Sequence, residues 1–412
     1  MSTSMHDIVL DERPLDQLLA AASPSTANIL ERSLERKELS VEDGIHLLAT
    51  EGDDLRALIQ TADAVRAEDV GDEVTYVVNR NINWTNICFV GCQFCAFAVH
   101  RNDPSAYNHS IDEVMVKVDD AIARGASEVC MQGGINPESD GFFYRDLLIA
   151  IKKRYPRLHI HAFSPMEIMY GARRANMSHS EFLTMLRDAG LGTIPGTAAE
   201  ILDDEVREIL SHKKVDVATW VEIVSTAHEL GLRSSSTIMY GHIETAEQIA
   251  RHVVLLRDIQ KRTGGFTEFV PLRFIHTFTQ LFKRGLVDEP TSGPSDFRMY
   301  AFSRLMLRGW IDNLQTSWVK LGTELSQLTL QAGCNDFGGT LMEESISKSA
   351  GADAGEYLSE DRIRELILEI GRIPVQRNTT YGRISEDTPT TGHSSRRRSR
   401  GSAISARPAA PA

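Results

Sequence analysis

No stretch of this 412-residue chain stays apolar long enough to span a bilayer. Its first residues, MSTSMHDIVLDERPLDQ, lack the charged-then-apolar order of an export signal. A soluble cytoplasmic protein with no membrane partner is the expectation. Positive charge is short as well: the formal net charge is −13. An acidic body argues against a surface for nucleic-acid backbones. Cysteine is scarce and odd in number, five in all, which argues against a disulfide framework. No G-x-G-x-x-G follows the first predicted strand, so a doubly wound dinucleotide-binding sheet loses its main support.

Hydrophobic residues, at 42%, are numerous enough for a large core. Residues 14–68 read as helices, with Ser40 and Asp43 as a capping box. From residue 74 the rhythm changes. Eight short β-branched runs alternate with amphipathic helices: VTYVVN, EVCMQGG, HIHAFSP, LGTIPG, SSSTIMYG, EFVPLRF, QTSWVKLG and NDFGG. The helices between them have readable starts at Ser110, Asp216 and Thr245, and glycine stops at 125, 190, 231 and 264. Strand–helix alternation implies a parallel sheet, and eight units imply closure into a (β/α)8 TIM-type barrel. The expected organisation is an N-terminal helical extension (1–72), the barrel (73–340), a helical region packed on it (341–384) and a disordered basic tail (385–412).

In such barrels, active sites form at the C-terminal ends of the strands. Directly after the first strand comes ICFVGCQFCAF, which places Cys88, Cys92 and Cys95 in a C-x3-C-x2-C spacing among phenylalanines. Cys130 and Cys334, in apolar strands, read as small buried hydrophobes. A structural zinc site wants four ligands, and His100 is the available fourth. A zinc-stabilised binding protein is therefore one reading. Iron–sulfur clusters are also held by thiolates. Three of them on a four-iron cluster leave one iron open, the mark of a catalytic metal site. The phenylalanines would then keep water away and tune the potential.

C-x3-C-x2-C with Phe94 just before the last cysteine resembles the signature of radical S-adenosylmethionine enzymes. The resemblance implies a [4Fe-4S] cluster on Cys88, Cys92 and Cys95, with S-adenosylmethionine on the open iron as source of a 5′-deoxyadenosyl radical. Gln132-Gly-Gly-Ile-Asn-Pro137 is similar to the superfamily's GGEP-type loop, implying cofactor contacts at Gly133, Gly134 and Pro137, with Asn136 standing where the acid would be. TIMYGHIE is similar to a degenerate adenine-contact segment, implying Gly241 and Glu244. Ser164, Glu167 and Glu200 fall at strand ends where ribose or methionine contacts are implied. For the carboxylates, a charge at a helix N-terminus explains the position equally well.

Eight ordered segments carry a closer resemblance, among them NINWTNICFVGCQFCAF, GLGTIPGTAAEILDDEVR, GGFTEFVPLRFIH and NDFGGTLMEESIS. They resemble the family of FO synthase second subunits, the 5-amino-6-(D-ribitylamino)uracil–L-tyrosine 4-hydroxyphenyl transferases. That implies cleavage of the tyrosine Cα–Cβ bond and addition of a 4-hydroxybenzyl radical to C5 of the ribityl-diaminouracil. It implies FO synthase subunit 1 as pathway partner and a ferredoxin- or flavodoxin-type electron donor. Arg273 and Lys320 are the strand-end cations for the tyrosine carboxylate. His242 is a proton exchanger. Asn313, Asn335 and His276 could serve the uracil and ribityl groups. Tyr240 and Trp318 could stack on a ring, with core packing the alternative for Trp318. A sister radical enzyme of the futalosine menaquinone route shares several of these stretches and stays open as an alternative.

Overall fold

The computed structural model describes residues 11–287, 291 and 293–384. The basic tail expected from 385 lies outside the described residues. The N-terminal stretch forms the helices Leu15–Ala21, Pro24–Leu34, Val41–Leu48 and Gly52–Val70. Their starts follow the sequence chemistry. Ser40 and Asp43 form the reciprocal capping box, and Ser110 with Glu113 repeats it on Ile111–Ala123. Asp216 and Thr245 accept main-chain N–H groups as N-caps. Gly264 ends Ala246–Thr263 in the left-handed region at φ 60°, a conformation that costs glycine little.

The strands are β1 (Glu73–Val77), β2 (Asn79–Ile82), β3 (His-free EVCM, Glu128–Met131), β4 (His159–Ala162), β5 (Thr193–Ile194), β6 (Arg233–Tyr240), β7 (Phe266–Arg273), β8 (Asp336–Gly339) and β9 (Ile373–Gln376). β2 to β7 form one parallel sheet in sequence order. β1 runs into β2 across the single residue Val78, and β1 pairs in parallel with β8. Leu314 bridges to Phe269 of β7 and Gln315 to Asp336 of β8, both in parallel. The ring is therefore closed with eight staves, as in a (β/α)8 barrel.

The seventh stave departs from the expectation. The sequence predicts a strand over QTSWVKLG, but only Leu314 and Gln315 make ladder bridges, and Trp318–Leu321 is a short helix. The turn drives the Trp318 indole into the core, where its N–H donates to Gly339 O at 2.8 Å. Trp318 is thus a packing residue, and the turn leaves Lys320 at the mouth of the barrel. β9 was not foreseen. It pairs in parallel with the first half of stave one, Glu73 to Tyr76, while the second half pairs with β3. The segment after residue 340 is thus part helix (Ile346–Ala350, Glu360–Glu369) and part strand.

β9 leads Arg377 into the floor of the barrel. Its guanidinium contacts both Asp336 oxygens and reaches Glu268 Oε2 at 3.4 Å. Tyr381 lies under it, with the guanidinium carbon 4.1 Å from the ring centre, and donates its hydroxyl to Glu268 Oε2 at 2.5 Å. Charges this deep are tolerated only when paired. No helix among the described residues is long and apolar enough to cross a membrane.

Candidate active site

β2 ends in a loop that must turn back before the helix Ile111–Ala123. Asn86 folds it: its side chain donates to Ser105 O at 2.9 Å and accepts from Tyr107 N–H at 2.8 Å. Val99 donates to Asn86 O and Cys88 to Val99 O, closing the loop on itself. Cys88, Cys92 and Cys95 then face one cavity of about 240 Å3 at the C-terminal ends of the strands. Burial pushes the Cys92 thiol up to about 12 and Cys95 upward as well. An iron would have to displace those protons to take the thiolates.

The aromatic surroundings divide. Phe94 and Phe97 line the cavity. Phe89 is 42% exposed and packs on Tyr170 outside it, so it is no part of a water-excluding wall.

The loop after β3 presses directly on the cysteine loop. Gly134 N–H donates to Thr85 O at 2.8 Å. A Cβ on Gly134 would lie 2.3 Å from Ile87 O and 3.1 Å from Cys88 Cβ; on Gly133 it would lie 2.5 Å from the Trp84 ring. Trp84 cannot retreat, because Tyr144 and Phe163 hold it edge-on. Gly134→Ala is expected to destabilise the protein by about 1–3 kcal/mol through overpacking, read as a lower thermal midpoint, with iron uptake reduced in parallel.

Behind this loop sits Glu167, wholly buried. Oε1 accepts Gly133 N–H at 3.0 Å, and Oε2 accepts Ser164 N–H and hydroxyl, each at 2.7 Å. Burial pushes its carboxyl up to about 7, against the pull of those donors. The pair is the capping box of Pro165–Ala175, so it serves the helix and the glycine turn together. Phe163 (φ 68°), Ala198 (φ 61°) and Glu200 (φ 41°) hold left-handed conformations at adjacent strand ends, strain of about 1–3 kcal/mol each that functional sites commonly store.

Glu200 Oε1 accepts from Lys214 Nζ at 2.6 Å, while its buried Oε2 has no hydrogen-bond partner. Lys214 lines the cavity 5.2 Å above the Phe94 ring. Burial opposes its charge, yet Glu200 and Cys92 beside it hold its pKa above the ordinary lysine value. Sequence reasoning missed it. Its only signal is a double lysine after SH in an acidic chain; the helix Asp204–Ser211 is what folds it back into the site.

At the opposite wall, Arg273 ends β7. Its Nη1 donates to the fully buried Asp296 at 3.2 Å, and Nη2 to Lys320 O at 2.6 Å. Tyr240 donates its hydroxyl to the other Asp296 oxygen at 2.7 Å, so that ring is occupied in the core. Burial raises the Asp296 carboxyl to about 6 in spite of Arg273. Lys320 lines the cavity without an ion-pair partner among the described residues, and burial lowers its pKa.

Of the residues singled out from sequence, the structure therefore brings together at one cavity the three cysteines, Phe94, Gly133, Gly134, Ser164, Glu167, Glu200, Arg273 and Lys320. Pro137, Gly241, His242 and Glu244 stand outside its lining. Glu244 accepts the main-chain N–H groups of Gly241 and His242 at 2.5 and 2.9 Å, which shapes the loop after β6. The His242 side chain is buried with Nε2 donating to Met239 O at 3.0 Å and Nδ1 accepting from Ile243 N–H at 2.7 Å. Asn313 and Asn335 lie at the opposite, N-terminal ends of the strands. There Asn335 accepts from Arg304 and Leu314 N–H, and Asn313 donates to Thr267 O. His276 packs on Phe282, outside the lining.

His100, the fourth ligand of a zinc reading, is exposed and off the cavity wall. Among the described residues no three His, Cys, Asp or Glu side chains are drawn together as a ready site for one ion. The cysteines share a wall rather than a point. That donor set, thiolates only with a glycine cradle beside it, fits an iron–sulfur cluster with one open iron.

Residues 82–256 match the model of the radical SAM superfamily, and residues 263–389 that of the CofH/MqnC C-terminal region. The 5-amino-6-(D-ribitylamino)uracil–L-tyrosine 4-hydroxyphenyl transferase of Methanothermobacter thermautotrophicus is 45% identical over 361 residues, 88% of this chain and 98% of that protein. A namesake from Methanococcus maripaludis is 48% identical over 85% of this chain and 98% of its own length. This chain belongs to that family.

The radical SAM superfamily to which these transferases belong uses a [4Fe-4S] cluster and S-adenosylmethionine, and Cys88, Cys92 and Cys95 lie inside the matched region. The FO synthase of Mycobacterium tuberculosis is 51% identical over 86% of this chain, but the match covers only 42% of that protein. The chain thus spans about two fifths of the FO synthases it resembles. Among solved structures, methylornithine synthase (PylB) superposes with a TM-score of 0.66 at 18% identity, covering 84% of this chain and 97% of that one. The hydrogenase maturase HydG from Carboxydothermus hydrogenoformans gives 0.66 at 14% identity, covering 92% and 87%. Both share the barrel fold with the transferase family described here.

Proposed function

We propose that this protein cleaves the Cα–Cβ bond of L-tyrosine and joins the 4-hydroxybenzyl fragment to C5 of 5-amino-6-(D-ribitylamino)uracil, as a cytoplasmic enzyme. The observation that carries the reading is one cavity whose wall holds three cysteines, a glycine turn and a partly buried lysine with no ion-pair partner among the described residues. Cys88, Cys92 and Cys95 would hold the [4Fe-4S] cluster, which with S-adenosylmethionine supplies the one-electron cleavage that yields a 5′-deoxyadenosyl radical. The chain's own part is binding, orientation and exclusion of water. Gly133 and Gly134 offer close main-chain approach, fixed from behind by Glu167. Phe94, Met239 and Leu272 make the wall apolar, which keeps a carbon radical from solvent. A partner equivalent to the rest of FO synthase would close the deazaflavin ring, and a ferredoxin or flavodoxin would supply electrons.

Lys320 takes the tyrosine carboxylate. Arg273 already neutralises Asp296, whereas Lys320 is partly buried with no ion-pair partner among the described residues, so an incoming anion gains most there. Lys320→Met is expected to raise the tyrosine KM roughly 10- to 150-fold, the worth of about 1.5–3 kcal/mol for a charged hydrogen bond. Deoxyadenosine formed without tyrosine should not change. An unaltered tyrosine KM in the variant would remove this role.

The reading itself is tested anaerobically. The reconstituted, reduced protein is given S-adenosylmethionine and tyrosine, with and without the ribityl-diaminouracil, and products are followed by mass. A uracil–hydroxybenzyl adduct is expected. Deoxyadenosine without that adduct would keep the radical chemistry and move the substrate elsewhere.

A further inference from the structure

The cysteine loop has an outer side as well as an inner one. Gln93, between Cys92 and Cys95, donates its main-chain N–H to Leu210 O at 2.8 Å and accepts from Leu281 N–H at 3.0 Å. Two segments are thereby clamped to the loop: the end of the helix Asp204–Ser211, and the turn around Gln280–Lys283. Both expose large apolar side chains. Ile209 is 50% exposed, Phe278 55%, Phe282 37% and Leu286 43%. Single exposed hydrophobes are ordinary, but several on two segments that meet at one residue mark a contact surface.

The same face carries cations. Lys213, Lys283 and Arg284 are exposed, and among the described residues none is ion-paired. Some exposed arginines, such as Arg36, Arg251 and Arg362, sit on carboxylates, while others, such as Arg173, Arg174 and Arg262, make no ion pair among the described residues. Arg284 instead donates to the Gln93 side chain at 3.0 Å, on the cysteine loop itself. Glu205 and Glu208 on the helix Asp204–Ser211 are the acids nearest in sequence to Ile209.

We propose that this face docks an acidic one-electron carrier protein, which passes its electron to a cluster held by Cys88, Cys92 and Cys95. The proposal rests on the reading of those cysteines given above. Charge and placement favour this occupant. On a body of net charge −13, the unpaired Lys213, Lys283 and Arg284 beside the cysteine loop offer an acidic protein a local attractive contact. A small apolar centre with a charged rim suits the brief, small-area contacts of electron transfer rather than a permanent subunit, which would need a larger apolar face. The face also covers the loop at Gln93, one of the two residues between Cys92 and Cys95. The carrier is oxidised by one electron and the cluster reduced by one; no bond forms or breaks.

The test uses the reconstituted full chain and a purified flavodoxin in its hydroquinone form. Lys213→Glu/Lys283→Glu, two exposed positions outside the site, is compared with the unaltered protein. Three quantities are read: the flavodoxin dissociation constant across a salt series, the rate of cluster bleaching by flavodoxin, and the rate of bleaching by dithionite. The variant is expected to bind flavodoxin at least tenfold more weakly, to lose most of the salt dependence, and to bleach more slowly with flavodoxin but at an unchanged rate with dithionite. Equal flavodoxin binding and bleaching in both proteins would overturn the proposal, as would an equal loss with dithionite. If the unaltered protein takes up no iron or accepts no electron from dithionite, the reading of the cysteines fails first, and the docking proposal falls with it.

Discussion

Replacing Cys88, Cys92 or Cys95 singly with alanine is expected to abolish deoxyadenosine formation. Each thiolate is one of three protein ligands, and no spare thiol or imidazole is among the cavity's lining residues: His100 is off its wall, and Cys130 and Cys334 do not line it. Loss of one ligand should therefore drop iron and acid-labile sulfide per chain along with activity. Cys130→Ala is the control. Its thiol belongs to β3 and is not among the residues that line that cavity. It should retain iron, sulfide and deoxyadenosine. Iron loss in all four variants would mean general destabilisation rather than ligation. Full deoxyadenosine formation in any of the first three would refute the assignment of that cysteine.

What could be read from sequence, and what could not, follows from how far each feature reaches along the chain. The capping boxes at Ser40 and Ser110 are local chemistry, complete within four residues, and stand in the structure as read. So is the cysteine motif, whose spacing alone sets three thiols on one loop. The barrel was legible because strand–helix alternation is a repeated local signal. QTSWVKLG misled because a β-rich run was counted as a strand, whereas the Trp318 indole needs Gly339 O and turns the chain into a helix. β9 was invisible because IPVQ owes its pairing to Glu73–Tyr76, some three hundred residues earlier. The strand-end rule was too coarse for Asn313 and Asn335, which flank strands at their N-terminal ends, the wrong end for the site. Asp296 and Lys214 were missed for the same reason as β9. Each acquires its role from a partner that only the fold supplies, Arg273 for the first and Glu200 for the second.

Arg377→Met should be the most destabilising single change on the floor of the barrel. The side chain is 3% exposed and answers two buried acids, Asp336 and Glu268. Methionine fills much of the same volume but leaves both carboxyls without their cation. Breaking a buried pair from one side typically costs about 3–5 kcal/mol, which should show as a lower urea midpoint at an unchanged slope. The loss should depend on pH with a definite sign. Burial already pushes the Glu268 carboxyl up to about 7 even with Arg377 pulling the other way. An acid whose pKa is higher folded than unfolded keeps its proton in the native state while the unfolded chain has lost it. Stability then falls as pH rises from the ordinary carboxylate range through the folded value. Without Arg377 that folded value moves higher still, so the variant should be closest to the unaltered protein near pH 5 and furthest from it near pH 8. A deficit that stays constant across that range would mean that Arg377 acts through packing on Tyr381, 4.1 Å from its guanidinium carbon, rather than through charge. The same measurement bears on the site at the other end of the ring. Asp336 begins the strand that leads to Thr340, and Thr340 donates to Asn79 O at 2.7 Å, at the head of the strand that enters the cysteine loop. The floor thus holds the two staves between which that loop begins.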